Sequence, residues 1–304
     1  MSDGLKWGVQ RRLEFIDFRL FWDGRFNRSD LSETFGISPQ QASSDISQYE
    51  KLAAANLEYD RAKKAYVRTS EFKPALVGDT IERYLLQLVA IENEWMRPED
   101  TWFAALPPVE IVTLGRRRTD PDILLSLLDA IRSKNEIDVR YTSITGSSEP
   151  PRTIAPHALF HSAGAWYVRS WSREHNDFRF YNISRITSVK AVRSSLIDPA
   201  LDFEWIHELD LILAPNPQLG ADQLAAVATE YGMKDGELRF PCRLALSFFL
   251  IVERNLDLQP GLLDANRQQL VLENYEEVEQ AKASARKLSK QALTRVIENA
   301  TGEE

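Results

Sequence analysis

The hydrophobic period of this chain changes at Glu136, and that change decides what it can fold into. Upstream, apolar residues recur every three or four positions, the spacing of a helix with one buried face. From Glu136 they recur every second position, as in Ile137, Val139 and Tyr141. The alternation continues through Arg152 to Phe160, Ala165 to Trp171, Asp177 to Ile183 and Ile186 to Val192. Turn signals separate the runs: Thr145-Gly146-Ser147-Ser148, Ser162-Ala163-Gly164 and Glu174-His175-Asn176-Asp177. Short strands at this spacing predict a small, strongly bent antiparallel sheet or partial barrel. A 304-residue chain holding both patterns has room for two or three domains, each with its own core.

The helical part opens with Leu5 to Trp22, where Leu13, Ile16 and Leu20 share a face and Asp23-Gly24 ends the run. A short helix follows, for which Ser29 reads as N-cap with Asp30 and Glu33 in the first turn. Leu31 and Phe35 give it an apolar edge. Gly36 supplies the tight turn and Ile37 a plug. Ser38-Pro39 restarts a helix, serine as N-cap and proline at the first position. Its buried face is Ala42, Ile46, Tyr49 and Ala53; the opposite face carries Gln40, Gln41, Ser44, Gln48 and Lys51. Leu57–Asp60 and Ala65–Arg68 alternate like strands around a basic turn, Arg61-Ala62-Lys63-Lys64.

Residues 71–134 read as mostly helical, with an apolar stripe over Thr80 to Trp95 and another helix over Asp120 to Ser133. Val109 to Leu114 is a candidate strand, and Arg116-Arg117-Arg118 reads as a solvated linker, with a second nucleic-acid contact as the alternative. In the last third, Pro241 to Val252 reads as a strand and Tyr275 to Ala300 as a helix.

Net charge is −8, but its distribution is uneven. Residues 1–70 carry 11 Lys and Arg against 10 Asp and Glu; residues 136–195 carry 8 against 5. Residues 196–304 carry 10 against 19, so the acidity lies mainly there. The two less acidic segments are where an anionic partner fits. No apolar run approaches the ~20 residues of a membrane helix, and MSDGLKWGVQRR lacks the core of a signal peptide. One cysteine, Cys242, leaves no internal disulfide and no cysteine-based zinc cluster. His157 and His161 are four apart in a strand-rich segment, so they do not share a helix face. No HExxH, Walker loop, GxSxG or CxxC occurs. The reading is a cytoplasmic non-enzyme without cofactor or metal.

Helix, short helix, turn, helix and basic-tipped hairpin make a winged helix-turn-helix, whose second helix lies in the major groove. Gln40, Gln41, Ser44 and Gln48 are the base-reading candidates, since glutamine pairs with adenine in two-point fashion and serine serves either base type. Ser29 and Ser38 stand at the helix starts. Arg25, Arg28, Arg61, Lys63 and Lys64 are placed for phosphates, which supply most of the affinity. The alternative is a nucleic-acid-sensing or scaffolding module in which the winged helix binds protein.

Ala165-Trp166-Tyr167-Val168 resembles the Trp-Tyr-Leu motif of the WYL family, with Val168 keeping an apolar strand residue at the third position. Val139-Arg140-Tyr141 resembles the family's opening strand and Arg152-Thr153-Ile154-Ala155-Pro156-His157 its arginine-to-proline segment. Phe178 to Ile186 resembles its closing segment, where two arginines bracket an aromatic and an apolar residue. Over its length the chain is most similar to phage-defence repressors of the BrxR/CapW type. The resemblance implies an α+β multidomain chain: a winged helix-turn-helix over 1–70, a helical linker over 71–134, a small bent Sm-like β-sheet (WYL) domain over 135–195, and an α/β C-terminal extension for dimerisation over 196–304. It implies a homodimer on a pseudo-palindromic double-stranded DNA operator, relieved by a nucleotide or nucleic-acid effector. Carried over residue by residue, the effector candidates are Tyr141, Ser143, His157, Arg169, Arg179 and Arg185. Trp166 and Tyr167 are read as packing.

Overall fold

The computed structural model describes residues 6–77, 81–112, 118–144 and 151–301. The chain divides into two compact units, Met1–Leu114 and Gly115–Glu304.

In the first unit the chain runs α1 (Trp7–Trp22), β1 (Arg25–Phe26), α2 (Arg28–Phe35), α3 (Pro39–Leu52), β2 (Leu57–Asp60), β3 (Ala65–Arg68) and α4 (Ile81–Glu92). The three short strands form one sheet in the order β1-β3-β2. Leu13, Phe15, Ile16 and Leu20 of α1 bury against Leu31, Ile46 and Tyr49, so three helices share one core. Trp102 closes that core edge-on to Phe15 at 5.8 Å, and Tyr84 of α4 stacks on Trp22 at 4.1 Å. The N-cap of α2 is Asn27, whose backbone N–H donates to Asp30 Oδ2 at 2.9 Å. The expected cap, Ser29, lies one turn-position inside the helix and exposed. Asp30 is the residue able to reach back from the third helical position, and that selects Asn27.

Residues 109–112 form no strand, and Val112 is fully exposed. A run with proline on both of its preceding positions, and no partner strand beside it, has nowhere to place its backbone hydrogen bonds. Thr80, Thr113, Leu114, Arg116, Arg117 and the Thr145–Ser148 turn lie outside the described residues; Arg118 is exposed.

The second unit begins with α5 (Pro121–Ser133), followed by β4 (Asn135–Tyr141), β5 (Arg152–Ser162), β6 (Ala165–Ser172), β7 (Asp177–Asn182) and β8 (Ile186–Ser194). These strands form a five-stranded antiparallel sheet in the order β7-β6-β5-β4-β8. Register shifts break the ladder at Ile137/Asp138, Arg140/Tyr141 and Pro156/Ala158. Such irregularities bend a sheet, and Pro156 has no N–H to keep the ladder continuous. One face buries Ile137, Val139, Ile154, Val168 and Tyr181 against Leu127 of α5.

The rest of the chain adds α6 (Phe203–Ile206), β9 (Glu208–Pro215), α7 (Ala221–Glu230), β10 (Leu238–Arg243), α8 (Leu244–Glu253), β11 (Leu270–Leu272) and α9 (Tyr275–Thr301), with a second sheet in the order β10-β9-β11. The other face of the large sheet packs Ala155, Trp171 and Phe178 on Leu293 of α9. The strand expected over Pro241 to Val252 ends at Arg243, where α8 starts. An apolar run of that length is compatible with either structure. Burial of Leu244, Ala245, Ser247 and Ile251 at helical spacing decides for the helix. Cys242 is buried in β10, where burial and the nearby Glu208 push its thiol up to about 11.

Candidate functional site

The turn between α2 and α3 is set by two residues. Gly36 takes φ +62°, ψ 34°, and its N–H donates to the carbonyl of Ser32. Side chains other than glycine rarely adopt that conformation. Ser38 Oγ then accepts from Gln41 N at 3.2 Å, with Pro39 at the first position of α3. The start of α3 is thereby presented outward: Gln40, Gln41 and Ser44 are exposed, while Ala42, Asp45, Ile46 and Tyr49 face the core. Ser47, which sequence reasoning left aside, is exposed on the same helix; Gln48 is half-buried.

Gln41 is exposed, but its amide donates to Asp45 Oδ1 at 2.9 Å. Asp45 is itself buried and holds Arg12 of α1 at 2.6 Å. A second clasp lies deeper. Buried Asp17 accepts the Tyr49 hydroxyl and the backbone N–H groups of Ala75, Leu76 and Val77 at 2.9, 2.7 and 3.0 Å. Both clasps fix the pitch of α3 against α1.

Between α2, the start of α3 and the hairpin lies a groove of about 670 Å³ lined by Arg28, Ser29, Lys63, Lys64, Tyr59 and Tyr66, among others. The fold thus gathers four of the residues named from sequence into one concavity. Arg28 also reaches Ser43 Oγ of α3 at 3.3 Å. Arg25 is exposed beside it on β1, and Arg61 is exposed at the hairpin tip. The tip itself is ordered by Asp60, whose Oδ1 accepts from Ala62 N and Lys63 N at 2.8 and 3.0 Å. Tyr59 and Tyr66 were missed; they face each other across the β2–β3 ladder with rings 5.1 Å apart, so strand alternation was the signal that pointed to them.

In the second unit, the effector candidates divide into two groups: Tyr141, Ser143 and Arg185 lie together, whereas Arg169 and Arg179 line one cleft and His157 shares Asp202 with Arg169. Tyr141, at the end of β4, meets Tyr181 edge-on at 5.1 Å, and the Arg152 guanidinium lies over both rings at 5.5 and 6.0 Å. Thr142 N donates to the carbonyl of Arg185, which brings Arg185 beside Tyr141 and Ser143. Arg179 is exposed on the edge strand β7. Next to it, burial and the charges of Arg179 and Arg152 keep the imidazole of His175 below its usual range. Burial is the larger cause, and the two guanidinium charges add to it. Arg152 and His175 were not among the residues singled out as candidates.

His157 and Arg169 lie elsewhere. Arg169 is only 2% exposed and donates from Nε and Nη2 to the two Asp202 oxygens at 2.7 and 2.9 Å. It also donates to Glu204 at 3.2 Å, and His157 Nε2 lies 2.9 Å from Asp202. Arg286 of α9 completes the cluster on Glu204 at 3.0 Å. Burial raises the Asp202 carboxyl, but hydrogen bonds from Arg169 and His157 outweigh it and hold the group below its ordinary 3.8. Trp166 is 54% exposed and leans on His161 at 5.0 Å, whereas Tyr167 stacks on Phe160 at 4.8 Å. Among the described residues no group of three His, Cys, Asp or Glu side chains is arranged to hold a metal. None of the described helices is long and apolar enough to cross a membrane.

Three family descriptions match along the chain. Residues 8–90 match the BrxR transcriptional regulator winged helix-turn-helix domain, 122–191 the WYL domain, and 208–278 the BrxR transcriptional regulator C-terminal dimerization domain. The DNA-binding transcriptional repressor CapW of Pseudomonas aeruginosa is 36% identical over 280 residues, covering 90% of this chain and 92% of that protein. The chain belongs to the CapW family. Its CapW relative in Stenotrophomonas maltophilia is 37% identical over 281 residues, with 92% of this chain and 94% of that one covered. In Escherichia coli (strain KTE188) a CapW protein is 36% identical over 278 residues, with 90% and 92% covered. The expected resemblance therefore holds over nearly the whole chain, not only over the WYL segment.

Proposed function

We propose that this CapW-family chain is a cytoplasmic, sequence-specific DNA-binding repressor of its own or a neighbouring phage-defence operon. The carrying observation is the cationic groove where Arg28, Ser29, Lys63 and Lys64 converge beside the outward start of α3. Residues 1–70 read the operator, 71–134 link, 135–195 sense an effector, and 196–304 dimerise. Arg25, Arg28, Arg61, Lys63 and Lys64 hold phosphates and set the register. Gln40 and Ser44 meet base edges; Gln41, Ser38 and Gln48 contribute chiefly by fixing the helix that presents them.

The effector is a nucleotide or nucleic acid held by Tyr141, Ser143, Arg179 and Arg185, together with Arg152. Tyrosine offers a stacking face and arginine a forked donor for phosphate. His157 and Arg169 act one step away, by anchoring the sheet to Asp202. The effector relieves repression only to the extent that it binds two states of the dimer unequally.

The test is a gel shift on the chain's own upstream region against random duplex of equal length. Tighter binding to the upstream region is expected, and Gln40→Ala with Ser44→Ala should remove that preference while leaving the non-specific component. Equal binding to both duplexes, or none to either, would sink the repressor reading and favour a protein-binding winged helix.

A further inference from the structure

On the side of the large sheet away from α5 lies a second cavity, a cleft of about 630 Å³ between the edge strand β7 and helices α8 and α9. Its wall is aromatic. Phe180 and Phe249 meet edge-on at 5.1 Å, and Phe248 stands at the rim with 54% of its surface exposed. A phenylalanine left that wet beside two others is a ready face for a flat ring.

The charges around the wall do not cancel. Glu204 is held by Arg169 and Arg286, Glu279 by Lys282 at 2.7 Å, and Asp177 faces Lys290 at 3.8 Å. Arg179 lines the same cleft and makes no ion pair among the described residues. One cation is therefore left over. One acceptor is left over too: Asp177 Oδ1 is buried without a hydrogen-bond partner. Buried acceptors of that kind cost free energy unless a donor arrives.

We propose that this cleft is a binding site for a flat aromatic molecule carrying one anionic group and an N–H donor. The ring lies on Phe248 and Phe249, the anion meets Arg179 with Lys282 and Arg286 nearby, and the N–H satisfies Asp177. The site shares Arg179 with the effector pocket proposed above but lies on the other sheet face, and it stands whether or not the chain binds DNA. Occupancy is felt inward, because an anion drawing on Arg286 competes with Glu204, which shares Arg169 with Asp202.

Two sources supply this chemistry, a purine mononucleotide and an amino-aromatic carboxylate. Isothermal titration of the full chain with adenosine 5′-monophosphate and, separately, with 2-aminobenzoate distinguishes them. Binding of at least one is expected. Ala283→Trp, which fills the cleft from the exposed side of α9, should weaken it at least tenfold, as should Phe248→Ser; Lys234→Ala, at the exposed turn after α7, should leave it unchanged. Circular dichroism identifies a variant that has lost its fold, and the second variant then decides. No heat from either compound at about 5 mM would overturn the proposal. So would binding that both cleft variants leave unweakened, the outcome of a ligand seated only in the effector pocket proposed above.

Discussion

Asp202 ties β5 and β6 to the start of α6 through His157 and Arg169. Two guanidinium donors and an imidazole converge on it in a site closed to water. Asp202→Asn leaves Arg169 charged and half-partnered in the interior, a change that costs about 3–5 kcal/mol when a buried pair is broken. Urea denaturation of the variant should show that loss as a lower midpoint. The same carboxyl sets an acid limit. Its folded value lies below the ordinary 3.8, so its stabilisation is complete above that value and is lost as pH falls through the folded one. Unfolding of the second unit should therefore ease below about pH 4, and less so in Asp202→Asn. None of this was legible in the sequence. Asp202 is 33 residues from Arg169, in a segment without a periodic pattern, and only the fold brings the two together. Arg169 looked like an effector contact because arginines in such a motif are typed by residue, and type does not reveal which are already satisfied.

Among the elements, α3 is the one whose placement was written most plainly. Gly36, Ser38 and Pro39 are local signals that act within a few residues, and the structure uses each as expected. Gly36→Ala keeps open space around the new methyl but forces a left-handed backbone on it. It should cost about 1–2 kcal/mol and lower operator affinity with it, by thermal melting and gel shift together. The N-cap of α2 and the helix α8 were misread for different reasons. The choice between Ser29 and Asn27 turns on Asp30 reaching back to one backbone N–H, whereas the choice between strand and helix for a continuous apolar run is settled by neighbours distant in sequence. The hairpin tip makes a separate prediction. Lys63→Ala with Lys64→Ala should weaken binding to all sequences alike and reduce the slope of log affinity against log salt by about two per half-site.

At the scale of the molecule, a 34.8 kDa chain with a match to a C-terminal dimerization domain should run at twice that mass in light scattering. A dimer carries two copies of α3, so operator half-sites should be spaced by whole turns of the duplex. Inserting about 5 base pairs between them should abolish the shift, and inserting about 10 should restore it. Such measurements are simplified by the state of Cys242. With its thiol at about 11, only about one molecule in ten thousand carries a thiolate at pH 7. To a maleimide or a disulfide reagent the native chain is close to silent. A cysteine introduced at Ser29 or Arg61, both exposed, would therefore report alone, and two labelled protomers would measure the separation of the reading heads with and without an effector.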